Sequence, residues 1–145
     1  SMKTSPVGIH AIKLYEGVRL ESYRDSVGVW TIGVGHTGKN IIEGMMIDDE
    51  EVDRLLGQDL EDAEACIEAY CNVELTQHQF DALVSFIFNL GCTAFKGSML
   101  LALINAGKFA DAAAQFLRWD KAGGRVLAGL ARRRADEREM FLNIA

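Results

Sequence analysis

The sequence predicts an α+β fold, with a small strand-rich lobe near the N-terminus joined by a long helix to a helical C-terminal lobe. Two observations carry this. From Val18 to about Gly35, β-forming residues and glycine dominate, and Trp30, Ile32 and Val34 alternate with Thr31, Gly33 and Gly35. On either side of that run, apolar residues recur at three- and four-residue spacing behind helix-capping residues. With 145 residues, 49% of them apolar, the chain can bury a core as one domain without staples. Within that single domain the expected lobes are residues 15–48, strand-rich, and 71–145, helical, with the first helix packing on the C-terminal lobe.

Each element has a local reason. Ser5-Pro6 is a helix start, since Ser caps orphan amides and Pro fits the first helical position. The first helix is expected to run to about Glu16 and stop at Gly17. Ile9 and Ile12 share a face, and Glu16 takes the next position on it. The turn Asp25-Ser26-Val27-Gly28 separates two short strands. Asp48 with Glu51 reads as a capping box opening a helix to about Tyr70, with Val52, Leu55, Leu56, Leu60, Ala63 and Ile67 as its buried stripe. Thr76 with Gln79 repeats that logic for a helix ending at Gly91. Ser98 caps a helix to about Ala106-Gly107, Phe109–Trp119 is a further one, and the last follows Gly123-Gly124.

The net charge of −6 is unevenly distributed. Residues 48–74 carry eleven acids against Arg54, and residues 118–138 carry seven bases against three acids. The acidic segment reads as a solvated helix face, and the basic one as a candidate contact for an anionic polymer. Arg132-Arg133-Arg134 is the only hint of nucleic-acid binding, and the acidic balance elsewhere opposes it. No stretch reaches the roughly 18 apolar residues that cross a bilayer, and nothing resembles a secretory signal, so a soluble chain without membrane insertion is expected. Ser1 precedes Met2, where the natural start is expected. Cys66, Cys71 and Cys92 have neither CxxC nor Cys/His metal spacing and read as free buried thiols of a reducing compartment. No metal or organic cofactor is implied.

The run from Glu16 to Thr37 carries the chemistry. Cleaving a glycosidic bond takes one carboxylic acid that holds a proton and one carboxylate that stays charged. Glu16 continues an apolar stripe, where desolvation favours the protonated acid. Asp25 sits in a polar turn among Arg24, Ser26 and Gly28, and Thr31 supplies a hydroxyl able to hold a water. The bland reading is a helix-end Glu, a turn Asp and a strand Thr.

The pattern E-G-x-R-L-x-x-Y-x-D-x-x-G-x-W-T-I-G-x-G-H-T, present here from Glu16 through Arg19, Tyr23, Asp25, Trp30, Thr31 and His36 to Thr37, resembles the signature of the bacteriophage-type lysozymes, or endolysins, of glycoside hydrolase family 24. FNLG at 88–91, FKGSMLLALINAG at 95–107, FLRWDKAGG at 116–124 and GLARRRADE at 129–137 resemble the helical lobe of the same enzymes. The resemblance implies a lysozyme-like fold and hydrolysis of the β-1,4 bond between N-acetylmuramic acid and N-acetylglucosamine in peptidoglycan, with glycan lying between the lobes. It makes Glu16 the general acid, Asp25 the base or charge stabiliser and Thr31 the residue orienting water, with inversion the usual outcome. Thr37, Phe88, Asn89 and Ser98 are candidate substrate contacts, although Phe88 also reads as core and Ser98 as a cap. His36 reads as a structural hydrogen-bonding residue. Arg125 and Arg133 are candidates to pair with Glu16, which would oppose its desolvation.

The implied partner is the glycan strand of peptidoglycan. The protein is expected to act as a monomer, to wait in the host bacterial cytoplasm until its release to the wall causes lysis, and to touch the anionic envelope through its basic C-terminal segment. Two alternatives stay open. A lytic transglycosylase needs only one carboxylate, and a non-catalytic peptidoglycan-binding module needs neither.

Overall fold

The computed structural model describes residues 1–144. Helix α1 spans Pro6–Glu16, followed by strands β1 Arg19–Arg24, β2 Trp30–Gly33 and β3 His36–Thr37. Then come helices α2 Asp49–Asp59, α3 Glu61–Tyr70, α4 Gln77–Leu90, α5 Cys92–Lys96, α6 Met99–Asn105 and α7 Phe109–Gln115. A 3₁₀ turn at Phe116–Arg118, the two-residue strands β4 Lys121–Ala122 and β5 Arg125–Val126, and helix α8 Ala128–Leu142 complete the described chain. The chain groups into two compact units, one of residues His10–Glu61, the other of Ser1–Ile9 with the residues from Asp62 onward.

In the His10–Glu61 unit the three strands form an antiparallel sheet in the order β1-β2-β3. Ile32, Ile41 and Leu55 are its buried centre, with Trp30, Met45 and Ile47 packed around them. Ser22 is the inward residue of β1. Its hydroxyl donates to the Ile42 carbonyl at 2.7 Å and accepts from Met45 N at 3.2 Å, which pins the following loop. The Asp48 carboxylate accepts from Glu51 N at 2.9 Å and so caps α2. Only half of the expected capping box forms, because the Glu51 side chain turns to Arg54 at 2.6 and 2.8 Å. That exposed pair holds the Glu51 carboxyl below its ordinary range. His36 Nδ1 and Asp59 Oδ2 lie 2.7 Å apart and join β3 to α2. The expected single helix over 48–70 is two. At Leu60 the backbone stays right-handed and its N–H donates to the Leu56 carbonyl at 2.9 Å, and α3 starts at Glu61.

The other unit is built on α4, whose residues Phe80–Ile87 are all buried. Here the expected capping box is complete: Thr76 Oγ1 accepts from Gln79 N, and Gln79 Oε1 accepts from Thr76 N at 2.9 Å. Phe86 is the aromatic hub, with edge contacts to Phe95, Phe116 and Trp119 at ring separations of 6.3, 5.6 and 5.6 Å. The segment before α1 is strapped to this unit by two buried carboxylates. Glu64 accepts from Thr4 N and Oγ1, both at 2.8 Å, and Asp81 accepts from Ser5 N at 3.0 Å and from the Ser5 hydroxyl.

Two expectations are corrected here. Cys66 and Cys92 are not free thiols; they form a disulfide with Cα atoms 5.9 Å apart, and Cys71 is the free cysteine among the described residues. Burial pushes the Cys71 thiol up to about 11. The arginine run is also not a surface patch. Arg132 is exposed, whereas Arg133 and Arg134 are buried against Glu137 and Ser85. Ser85 Oγ donates to Glu137 Oε2 at 2.6 Å, Arg133 Nε does so at 3.2 Å, and Arg134 lies over the Phe86 ring. Burial pushes the Glu137 carboxyl above its ordinary range, and Arg134, Ser85 and Arg133 pull against it. Arg118, Arg125 and Arg132 of this segment are exposed, whereas Lys121 pairs with Asp120 at 3.4 Å.

No described helix is long and apolar enough to cross a membrane. No group of His, Cys, Asp or Glu able to hold a metal occurs among the described residues.

Candidate active site

The His10–Glu61 unit carries Glu16, Asp25, Thr31 and Thr37, while Phe88, Asn89, Ser98, Arg125 and Arg133 belong to the other unit. Glu16 is the last residue of α1. The helix ends there because Gly17 takes φ +80, a left-handed conformation that favours glycine, and returns its N–H to the Lys13 carbonyl at 2.9 Å. Ile12, one turn earlier on the same face, is fully buried, but Glu16 is exposed. The burial expected from the stripe is therefore not found at Glu16.

Asp25 follows β1 directly. Gly28 N donates to the Asp25 carbonyl at 3.0 Å, and Gly28 lies at φ +87, so the chain reverses within four residues. Inside this turn Asp25 Oδ1 accepts from Val27 N at 3.0 Å and Val29 N at 2.8 Å. Both bonds reach the same oxygen, which leaves Oδ2 of this half-buried residue without a protein partner among the described residues. The carboxylate is fixed by one oxygen and presented by the other.

Thr31 is buried at 3% exposure, and its hydroxyl donates to the Val29 carbonyl at 2.9 Å. With the proton so used, Thr31 Oγ1 is left as an acceptor toward a ligand or water. The Val29 carbonyl also accepts from Asp25 N at 2.9 Å. One backbone residue, Val29, thus fixes Asp25 through its N–H and Thr31 through its carbonyl. This link was not visible in sequence, because a main-chain bond leaves no trace in residue type.

Thr31 pairs with Tyr23 of β1 on one side and with Thr37 of β3 on the other. Directly paired residues of an antiparallel sheet point to the same face, so Tyr23, Thr31 and Thr37 form one row. Thr37 is exposed and Tyr23 half-buried.

In the other unit, Ser98 is a buried cap. Its hydroxyl donates to the Phe95 carbonyl at 2.6 Å and accepts from Leu101 N at 3.2 Å, which leaves no proton for a substrate. Phe88 is half-buried and Asn89 exposed near the end of α4. Arg125 is exposed on β5, and Arg133 is buried, donating to the Ser85 carbonyl at 3.0 Å.

The family described as "Phage lysozyme" matches residues 13–137. The endolysin of Salmonella phage P22 is 45% identical over 146 residues, covering 98% of this chain and 99% of that protein. The endolysin of Bacillus phage B103 is 42% identical over 143 residues, 97% of this chain, which spans about half of that relative's length (54%). Among solved structures, a mutant of P22 lysozyme superposes with a TM-score of 0.94 at 44% identity, covering 98% of this chain and 99% of that one.

Proposed function

The chain belongs to the phage lysozyme family, and from that premise we propose that it hydrolyses the β-1,4 bond between N-acetylmuramic acid and N-acetylglucosamine, degrading bacterial peptidoglycan and so causing lysis. The observation that carries the reading is the coupled placement of Asp25 and Thr31 through Val29, in the unit whose first helix ends at Glu16.

In this reading Glu16, exposed at its helix end, donates a proton to the glycosidic oxygen as the bond to the leaving sugar breaks. Positive charge then develops on the sugar ring. The open oxygen of Asp25 faces that charge, as base toward an attacking water or as its electrostatic partner. Thr31 Oγ1 accepts a hydrogen bond from the water and fixes its approach. Two carboxylates and a water-orienting hydroxyl serve hydrolysis; a transglycosylase, which closes the muramic ring on itself, has no use for the last. The enzyme is proposed to act as a monomer, to remain in the host cytoplasm until its release to the wall, and to meet the anionic envelope through exposed bases such as Arg125 and Arg132.

Release of reducing ends from purified peptidoglycan tests the proposal. Glu16→Gln and Asp25→Asn are each expected to lower the rate on the order of 100-fold or more while leaving a folded protein. A folded wild type that releases no ends, or a Glu16→Gln protein as active as wild type, would overturn it.

A further inference from the structure

The row of residues containing Thr31 has a feature that the proposed chemistry does not use. In the β1–β2 ladder Tyr23 faces Thr31 and Arg19 faces Gly33. Arg19 and Tyr23 are four residues apart in β1, yet their partners are two apart in β2, so β1 bulges between them. Along a flat strand, side chains four apart stand about 13 Å from each other. The bulge shortens this distance, and the Arg19 guanidinium lies 4.3 Å from the centre of the Tyr23 ring. The middle of β1 pairs outward instead, with Ser22 N donating to the Met45 carbonyl and Ile47 N to the Leu20 carbonyl, both at 2.9 Å. Bulges of this kind re-aim side chains beside functional sites.

Arg19 is exposed and, like Arg24 and Lys39 but unlike Lys13 and Arg54, which pair with Asp53 and Glu51, has no ion-pair partner among the described residues. Arg24 stands over Trp30, whereas Arg19 stands over Tyr23, the residue that pairs with Thr31. Opposite it stands Gly33, which offers no side chain to compete for the space. The unit itself is acidic, with eleven Asp and Glu against five Lys and Arg over residues 10–61. A polyanionic substrate is repelled by such a unit unless a local cation receives it. A planar guanidinium pre-oriented on an aromatic ring is suited to a carboxylate, which it can bind through two parallel hydrogen bonds.

We propose that Arg19, held in place by Tyr23, is the recognition residue for a carboxylate of the peptide-bearing branch on the muramic sugar. This rests on the reading of the protein as a peptidoglycan hydrolase. It adds a specificity element that lies on the sheet face of Thr31 and takes no part in bond cleavage.

The experiment compares native peptidoglycan with the same wall after chemical amidation of its carboxyl groups, using wild type, Arg19→Gln, Arg19→Lys and Tyr23→Ala. Wild type is expected to prefer the native wall. Arg19→Gln is expected to lose on the order of 10- to 100-fold in kcat/KM on the native wall, mainly through KM, as for loss of a charge-assisted hydrogen bond. On the amidated wall the two enzymes are expected to converge to within about threefold. Arg19→Lys keeps the charge without the planar fork and should fall between them; Tyr23→Ala, which removes the support, should resemble Arg19→Gln. Thermal unfolding confirms that each variant is folded. A wild type indifferent to amidation, or an Arg19→Gln loss equal on both walls, overturns the proposal while leaving hydrolysis intact. A wild type that cleaves neither wall overturns the hydrolase reading and this inference together.

Discussion

Replacing Thr31 by valine separates the chemistry of the hydroxyl from its part in packing. Valine has the shape of threonine, and the Val29 carbonyl that loses the Thr31 proton keeps its bond from Asp25 N at 2.9 Å, so no buried acceptor is orphaned. The lost hydrogen bond is worth about 0.5–1.5 kcal/mol, and burying a methyl group in its place returns about 0.8 kcal/mol. The net cost is therefore about 1 kcal/mol or less. For 145 residues unfolding with roughly 2.1 cal/mol/K of entropy per residue, that is a fall in Tm of about 3 °C at most. Catalysis is expected to suffer far more, on the order of 100-fold in kcat, because water loses its acceptor beside the sugar. Thr31→Ser is the converse. It removes a buried methyl group at a cost of about 1 kcal/mol but keeps the hydroxyl, so activity should stay within about tenfold of wild type. Calorimetry and reducing-end release on the two variants give the answer. A Thr31→Val protein with nearly full activity, or one that loses activity only in step with a large fall in Tm, would refute the role given to the hydroxyl.

Further outcomes follow from the structure. Ellman's reagent should count one thiol per chain in denaturant and three after reduction, because Cys66 and Cys92 are joined; three thiols without reductant would contradict the pairing. In the folded protein Cys71 should react slowly near neutral pH, since burial raises it from 9.0 to about 11. The folded state holds that proton more tightly than the unfolded state. The associated stability is thus complete below pH 9 and declines as pH rises toward 11, which unfolding at pH 8 and pH 11, compared with Cys71→Ala, would check. Gly8→Ala should destabilise the fold although alanine is the better helix former. Its Cβ would stand 2.8 Å from Asp81 Cγ and 2.9 Å from Thr4 Cγ2, and the hydrogen bonds from Ser5 hold Asp81 in place. Overpacking of about 1–3 kcal/mol outweighs a propensity gain of at most about 1 kcal/mol, and a raised Tm would show that the site can relax.

What was legible in sequence was whatever depends on near neighbours. Asp48, Thr76 and Ser98 cap the helices that their positions announced, because a cap is a contact across three residues. The alternation around Trp30 and Ile32 gave a strand for the same reason. The Cys66–Cys92 bond was hidden because the two residues are 26 apart and nothing local links them. Burial of Arg133 and Arg134 was hidden too, since a run of charge looks solvated until Glu137 and Ser85 are seen around it. Strands β4 and β5 are two residues each, too short for periodicity to reveal, although Gly123 and Gly124 at φ +58 and +78 mark the turn between them. At the candidate site residue types were readable and their environment was not. The stripe through Ile12 suggested a buried Glu16, whereas the helix end exposes it. The Val29 link and the Arg19–Tyr23 stack depend on main-chain bonds and a bulge, which no side-chain pattern encodes.

The central claim is that this chain cleaves the glycan by adding water at the muramic sugar. The most direct measurement is mass spectrometry of fragments released from purified peptidoglycan in heavy-oxygen water, with Glu16→Gln alongside. Hydrolysis predicts muramic reducing ends that carry the heavy oxygen and disappear with Glu16→Gln. Anhydro-muramic ends without the label would contradict it and assign the chain to transglycosylation.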